Sequence, residues 1–404
     1  MDYSKNIVIM EVMIPVEKAK ELICNALRQL NVHQISLDAA HGRVLAADVY
    51  ALLDIPAYPQ SSMDGYALAF DSMGDRITLK GEMAAGSSSG MHIETGKAVR
   101  IFTGAAVPPG ADTVVVQEKS RVENGQLVID DHPLKQGDNV RPVGSEIQKG
   151  SLALPAGTRL TPASIGFLAG MGINEVEVLV LPRVGILVTG NELCEPGTSL
   201  GYGQVYESNS YTLRAALSAM GIACAEPLHA KDDPDQLIAM LASLLAENDM
   251  VLMTGGVSVG DYDFTMRAFD ACGVDKIFHK VKQKPGKPIL FGMQGNKPVF
   301  GLPGNPASVL TCFYQYVWPA LGKLMGTDLS LREALVPLAE GHKKPAGLTH
   351  FLKAVYDGKQ VRLLTGQESY KLASFAQADC LAVLPETATA WSAGDLIQIH
   401  LLPY

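Results

Sequence analysis

The chain has 404 residues and a formal net charge of −9, from 33 basic and 42 acidic side chains, with 47% hydrophobic and 19% charged residues. That length predicts roughly two to four domains, and the composition excludes a disordered polymer. It also excludes a general nucleic-acid binder, because no broad basic surface is available to release counterions from phosphates, although local lysines can still bind a small anion.

Residues 7–16 are apolar but interrupted by Glu11. They are too short for the apolar region of a signal peptide and lack a small-residue cleavage site, and no later run reaches membrane-spanning length, so a cytoplasmic protein away from any membrane is expected. Residues 15–30 place Val16, Ala19, Leu22, Ile23, Ala26, Leu27 and Leu30 at helical spacing, with Pro15 tolerable in the first turn. Residues 33–50 read as a strand, a turn at 40–42 and a connecting segment. Pro56, Tyr58 and Pro59 break regular structure ahead of Ser61-Ser62-Met63-Asp64-Gly65, where Asp64 makes either an Asx turn or a ligand-binding loop.

From residue 77 to 129 the pattern is β. Strands are expected at 77–80, 98–102 and 113–118, and Asn124-Gly125 marks a hairpin between 120–122 and 127–129. Thr103 sits at a bend after one of these strands, its hydroxyl serving a turn or a ligand. Arg141-Pro142-Val143-Gly144 leads out of the β region, and Thr161-Pro162 opens a helix to Met171 that stops at Gly172.

After Pro182 strands and helices alternate. A buried strand at 184–189 ends in Gly190-Asn191-Glu192, Ser208 or Asn209 caps a helix to Met220, a strand follows at 222–228, and Asp232-Asp233-Pro234 opens a helix at 235–246 before the strand Met250–Thr254. This order predicts a parallel, doubly wound sheet. Glu192, Asp232 or Asp233, and Asp261 or Asp263 all follow strand C-terminal ends and can converge at one sheet edge, where such sheets bind ligands. Ordinary helix capping is the other reading of Asp232 and Asp233. Gly255-Gly256 would let backbone approach a ligand, with Ser258, Asp261 and Asp263 in the loop before a helix at 264–272; a tight turn with Asp263 as a cap is the alternative.

If residues 277–284 form a strand, Lys280, Lys282 and Lys284 share one face at roughly 6 to 7 Å. Adjacent lysines would then repel by about 2 kcal/mol at an effective dielectric of about 20, a cost an anionic ligand removes; an edge strand guarded by lysines would look the same. Gly301-Leu302-Pro303-Gly304-Asn305-Pro306 is a rigid turn whose last proline can start the helix 307–316. Beyond Gly326 the chain is β again, with Asp357-Gly358 between strands at 351–356 and 360–364, and further strands at 381–384 and 396–402 completing a small sheet or barrel. Six cysteines carry no CxxC spacing and nine histidines no HxxxH pair, so the thiols read as reduced, and a bound metal would have oxygen ligands, which favours magnesium.

In order along nearly the whole chain stand SSMDGYA, RIFTGAAVPPGAD, LVTGNEL, DDP, TGGVSVGDYD, KPGKP and GLPGNPAS. Together they resemble the molybdopterin molybdenumtransferase family, known as MoeA in bacteria and as the E domain of gephyrin in animals. The resemblance implies a multidomain α/β plus β fold. Its parts would be an elongated linking domain (1–50 with 141–181), a β-rich domain (51–140), a central doubly wound, MogA-like α/β domain (182–328) and a C-terminal β-barrel-like domain (329–404).

It also implies insertion of molybdenum from molybdate into adenylylated molybdopterin, with magnesium and release of AMP. The implied assembly is a symmetric homodimer, with transient contact to the molybdopterin adenylyltransferase. Asp64, Thr103, Glu192, Asp263, Lys280 and Lys284 would be catalytic. Arg141, Gly255, Gly256, Ser258, Lys287, Pro303, Asn305, Pro306 and Ser374 would bind substrate, and Glu192, Asp232, Asp233 and Asp263 would be the metal carboxylates. A scaffold on the same fold, another nucleotide-directed hydrolase, and tungstate in place of molybdate are the alternatives. Three departures bear on ligand affinity: Asn191 where many members carry aspartate, a less basic segment at Arg141, and Gln367-Glu368-Ser369 in place of a glycine-serine turn.

Overall fold

The computed structural model describes residues 13–403 except 75–76, 88–89, 131–132 and 257–261; at 262 and 263 the description is of backbone only. The chain divides into two compact units, Gln34–Val178 and Leu179–Tyr404 together with the stretch up to His33.

Gln34–Val178 carries a six-stranded sheet in the order Thr113–Val116, Gly65–Leu68, Lys97–Ile101, Ile77–Met83, Gln126–Ile129, Ser120–Glu123. Its side chains alternate between two cores as the pleat requires: Ala67, Val99 and Val114 face one, Leu68, Ala98 and Val115 the other. Asn124 and Gly125 both have positive φ, 49° and 75°, as a tight hairpin demands. Gly65 has no room for a side chain, since a Cβ there would lie 1.9 Å from the Val115 carbonyl oxygen. A separate core gathers Leu37, Leu45, Leu160, Leu168 and Val178 around the helix Pro162–Gly170, where Thr161 Oγ1 accepts the Ser164 N–H at 3.2 Å.

The other unit is built on a six-stranded sheet in the order Leu228–Ala230, Val184–Thr189, Met250–Thr254, Lys297–Leu302, Leu290–Gln294, Asp275–His279. The first four strands are parallel, Leu290–Gln294 runs against them, and Asp275–His279 pairs antiparallel to Leu290–Gln294. Every residue of Val184–Thr189 and Met250–Thr254 is buried, because helices cover both faces. Asn209–Ala219, Val16–Ala26 and the helical segment beginning at Pro306 share one core with the sheet; Pro234–Glu247 and Tyr262–Ala271 share the other. A second sheet follows in the order Gln283–Lys284, Thr349–Tyr356, Cys380–Leu384, Leu396–Leu401, Arg332–Pro337, with Val361–Leu363 pairing the far end of Thr349–Tyr356 on the same edge as Gln283–Lys284. No helix among the described residues is long and apolar enough to cross a membrane.

Four local expectations are corrected. The lysine-rich run is not one strand: Asp275–His279 ends, Lys280 takes φ 69°, and Gln283–Lys284 joins the second sheet beside Thr349 and His350. Lys280, Lys282 and Lys284 therefore do not share a strand face, and their predicted mutual repulsion does not arise from that geometry. The first helix stops at Ala26, with Leu27 already extended. The strand expected at 222–228 is reduced to a bridge at Cys224 and the short Leu228–Ala230. Finally, the helix from Pro306 does not end at residue 316: it passes at Phe313–Val317 through a π-helical turn into Trp318–Leu324. Pro319 has no N–H to give the carbonyl one turn back, and the widened turn stands just before it.

Candidate active site

A cleft of about 730 Å³ opens where the parallel strands deliver their loops, lined among others by Glu192, Lys284, Lys287, Pro303, Asn305, Pro306 and Ser369. Glu192 comes from the loop after Val184–Thr189. Gly190 has φ 151°, and a Cβ there would meet the Glu192 carboxylate at 2.8 Å, so this glycine lets the carboxylate fold back over the backbone. Glu207 also lines the cleft, but its oxygens are engaged by the Ser210 N–H at 2.8 Å and the Ser210 hydroxyl at 2.5 Å.

The proline turn holds the far wall. Asn209 Nδ2 donates to the Gly304 carbonyl at 2.8 Å, Asn305 Nδ2 donates to Ser369 Oγ at 2.9 Å, and the Ala307 N–H donates to the Ser369 carbonyl at 3.1 Å. Pro306 occupies the first helical turn, as its missing N–H permits. These bonds fasten the 366–374 loop of the second sheet to the start of the Pro306 helix.

Lys284 pairs in register with His350. Burial first, and then the charges of Lys344, Lys284 and His342, push the His350 imidazole down to about 4. That flank is therefore a cationic wall with a neutral histidine behind it. Lys344 is itself buried, its Nζ donating to the Leu348 carbonyl at 2.9 Å.

Several expected residues lie elsewhere. Asp233 caps its helix, accepting the N–H of Asp235 at 3.0 Å and of Gln236 at 3.5 Å. Asp232 accepts the Thr189 hydroxyl at 3.1 Å and the Asn191 N–H at 3.3 Å, and its own N–H donates to Asn191 Oδ1 at 3.3 Å. Neither aspartate lines the cleft. Asn191 is thus a tie between two strand-end loops, where an aspartate would place a second carboxylate beside Asp232. Gly255 and Gly256 make their close approach to protein: a Cβ on Gly255 would lie 2.3 Å from the Thr189 carbonyl oxygen, and one on Gly256 2.9 Å from Thr265 Oγ1. Lys280 stands at the end of its strand, its N–H donating to Ile289 at 3.0 Å and its carbonyl accepting from Ile14 at 3.2 Å. Ser374 Oγ donates to the Gly366 carbonyl at 2.6 Å and is not among the residues lining the cleft. Ser258 and Asp261 lie outside the described residues, as does the side chain of Asp263, whose backbone is in the first turn of Tyr262–Ala271.

In the other unit, Asp64 and Thr103 do meet. Asp64 Oδ1 accepts the Thr103 N–H at 2.7 Å and the Thr103 hydroxyl at 2.8 Å. The backbone N–H first and the hydroxyl second hold this carboxyl below the usual aspartate range, with a smaller attraction from Arg100. Arg141 lies apart from them, with Ser145 and Glu146 around a hollow of about 510 Å³.

Gln283, Ser208 and Asn209 line the cleft although the sequence did not mark them as site residues, and Lys353 was not marked either. Lys353 is buried, and its ammonium donates to the carbonyls of Gly366, Lys371 and Glu368 at 2.7, 3.0 and 3.3 Å, organising the loop that carries Ser369. Among the described residues no three His, Cys, Asp or Glu side chains converge to hold a metal. Glu192 is a cleft carboxylate whose oxygens accept no hydrogen bond among the described residues, which suits a hard cation that keeps its waters and shares substrate phosphate oxygens. Two lysines, the carboxylate of Glu192 and a polar wall of amides and hydroxyls can hold a phosphate chain or an oxyanion, with the Glu207 carboxylate already engaged by Ser210.

Comparison with known proteins gives the same picture along the chain. Residues 14–172 match the MoeA N-terminal region (domain I and II), residues 185–323 a probable molybdopterin binding domain, and residues 336–402 the MoeA C-terminal region (domain IV). A molybdopterin molybdenumtransferase from Nostoc sp. is 34% identical over 97% of this chain and 94% of its own length. One from Haemophilus influenzae is 33% identical over 91% of this chain and 94% of its own. The crystal structure of a molybdopterin biosynthesis protein from Pyrococcus horikosii superimposes with a TM-score of 0.83 at 29% identity, covering 97% of this chain and all of that one.

Proposed function

Since the chain belongs to the molybdopterin molybdenumtransferase family, and is therefore a transferase of molybdenum cofactor biosynthesis, we propose that its cleft inserts molybdenum from molybdate into adenylylated molybdopterin with release of AMP. The observation that carries this reading is the meeting of Glu192, Lys284 and Lys287 on one cleft. In this reading Lys284 and Lys287 bind the pyrophosphate link and the incoming oxyanion by charge-assisted bonds. The turn Pro303 to Pro306, fastened to Ser369, sets the wall against which the substrate is oriented. Glu192 would hold magnesium, with Asp263 a further candidate ligand, and the ion when bound would neutralise charge at the phosphoanhydride. Lys280, Arg141 and Ser374 remain proposed anion or substrate contacts, and Asp64 with Thr103 a proposed corner supplied by a second copy of the chain.

The test is to add molybdate and magnesium to the full chain with adenylylated molybdopterin and to measure AMP. Release that requires molybdate supports the reading. Release from simple dinucleotides at the same rate would replace it with a general nucleotide hydrolase, and absence of release would favour a binding scaffold.

A further inference from the structure

Gln283 is wholly buried, although its neighbours in sequence are lysines, and a buried amide must place its donors and acceptor. Its Nε2 donates to the Pro285 carbonyl at 2.9 Å and reaches the Gly286 carbonyl at 3.4 Å. Its Oε1 accepts the hydroxyl of Tyr316. One amide thus grips both residues that stand between Lys284 and Lys287. The packing around that grip is tight: a Cβ on Gly286 would lie 2.5 Å from Cys312 Sγ and 2.8 Å from Gln283 Nε2.

Tyr316, itself fully buried, comes from the π-helical turn Phe313–Val317. An α-helix advances about 100° per residue, and a wider turn redirects the side chains that follow it. Here Gln315 is sent to His400, whose Nδ1 is 3.0 Å from its Oε1, while Tyr316 is sent to Gln283.

We propose that Gln283, held by Tyr316, is a positioning residue for the anion-binding lysines, fixing the spacing of Lys284 and Lys287 through the carbonyls between them. This rests on the reading of the cleft as a phosphate and oxyanion site. Gln283 touches no reacting atom and acts only through the lysine loop.

The experiment is calorimetric titration of the full chain with inorganic pyrophosphate, for the native protein, Gln283→Met, Tyr316→Phe and the double variant, with melting followed in parallel. Each single variant should weaken binding about tenfold, as expected for one buried hydrogen bond. The double variant should be no weaker than the weaker single, because Tyr316 acts on the lysine loop only through Gln283. In turnover, the KM for molybdate should rise while kcat changes less than about twofold. Unchanged affinity in both folded singles, or losses that simply add in the double, would overturn the proposal, as would a lowered melting temperature with native affinity. If Gln283→Met does not fold, Tyr316→Phe, which removes a single oxygen, decides alone. Failure of the native chain to bind pyrophosphate would bring down the cleft reading and this inference together, whereas native binding with unaltered variants removes the inference only.

Discussion

The charge of Lys284 faces the cleft and also bears on the histidine paired with it. Replacing it in Lys284→Ala should weaken pyrophosphate binding, and the loss should shrink as salt rises, since screening acts over about 10 Å at 0.1 M. Titrations at low and high ionic strength check this; an equal loss at both would mean that Lys284 packs rather than attracts. His350 gives a second prediction. A histidine in an unfolded chain titrates at about 6.5, whereas the folded chain keeps His350 neutral down to about 4. As pH falls between those values the unfolded state takes up the proton first, so stability drops through that window and is unaffected above it. His350→Asn should therefore narrow the difference between urea midpoints measured at pH 7 and pH 5, and an unchanged difference would clear His350 of any part in acid sensitivity.

At the scale of elements, the strand end at Thr254 depends on glycine for space. Gly255 has φ 86°, and an added Cβ would lie 2.3 Å from a carbonyl oxygen of the neighbouring strand. Gly255→Ala should cost about 2 to 4 kcal/mol from left-handed strain and overpacking, read as a lower denaturant midpoint; a midpoint within error of native would show that the loop can re-route.

The same elements show what was legible in the sequence. Met250–Thr254 announced itself because a strand buried on both faces must be apolar throughout, and Asn124-Gly125 because few other pairs tolerate two positive φ values. Thr161-Pro162 likewise signalled the helix start it makes. The lysine run misled because alternation is a local pattern, whereas the pairing of Lys284 with His350 is a long-range one. Gln283 was invisible for a related reason: among lysines a glutamine looks solvated, and only the arrival of Tyr316 makes it a core residue. The two readings offered for Asp233 could not be separated without knowing where its carboxylate turns, and its Oδ1 accepts from its own helix.

On the scale of the whole molecule, Asp64 and Thr103 belong to Gln34–Val178, whereas Glu192 and Lys284 belong to the other unit. If the proposed dimer combines these groups from opposite chains, two-fold symmetry gives two equivalent clefts. An Asp64→Ala chain exchanged with a Lys284→Ala chain would then place both lesions in one cleft and none in the other. Two inactive proteins should regain part of their AMP release on mixing; verified mixed dimers with no recovery would assign Asp64 a role within its own chain.

The short pairing of Gln283–Lys284 with Thr349 and His350 bears on how such a protein can be divided. The α/β sheet has all its strands before residue 303 and its covering helices before residue 325, which suggests a module that could be cut out and used alone. Yet the wall of its cleft is finished by Ser369, and its lysine loop is hydrogen-bonded to a strand beginning at Thr349. A chain stopped after residue 328 loses Phe351, Phe375 and Leu381 from the core it shares with the parallel sheet, so it should melt lower and lose its grip on pyrophosphate, as thermal unfolding and calorimetric titration would show. Such a loss would make the C-terminal sheet a structural part of the cleft rather than an appendage free to be exchanged.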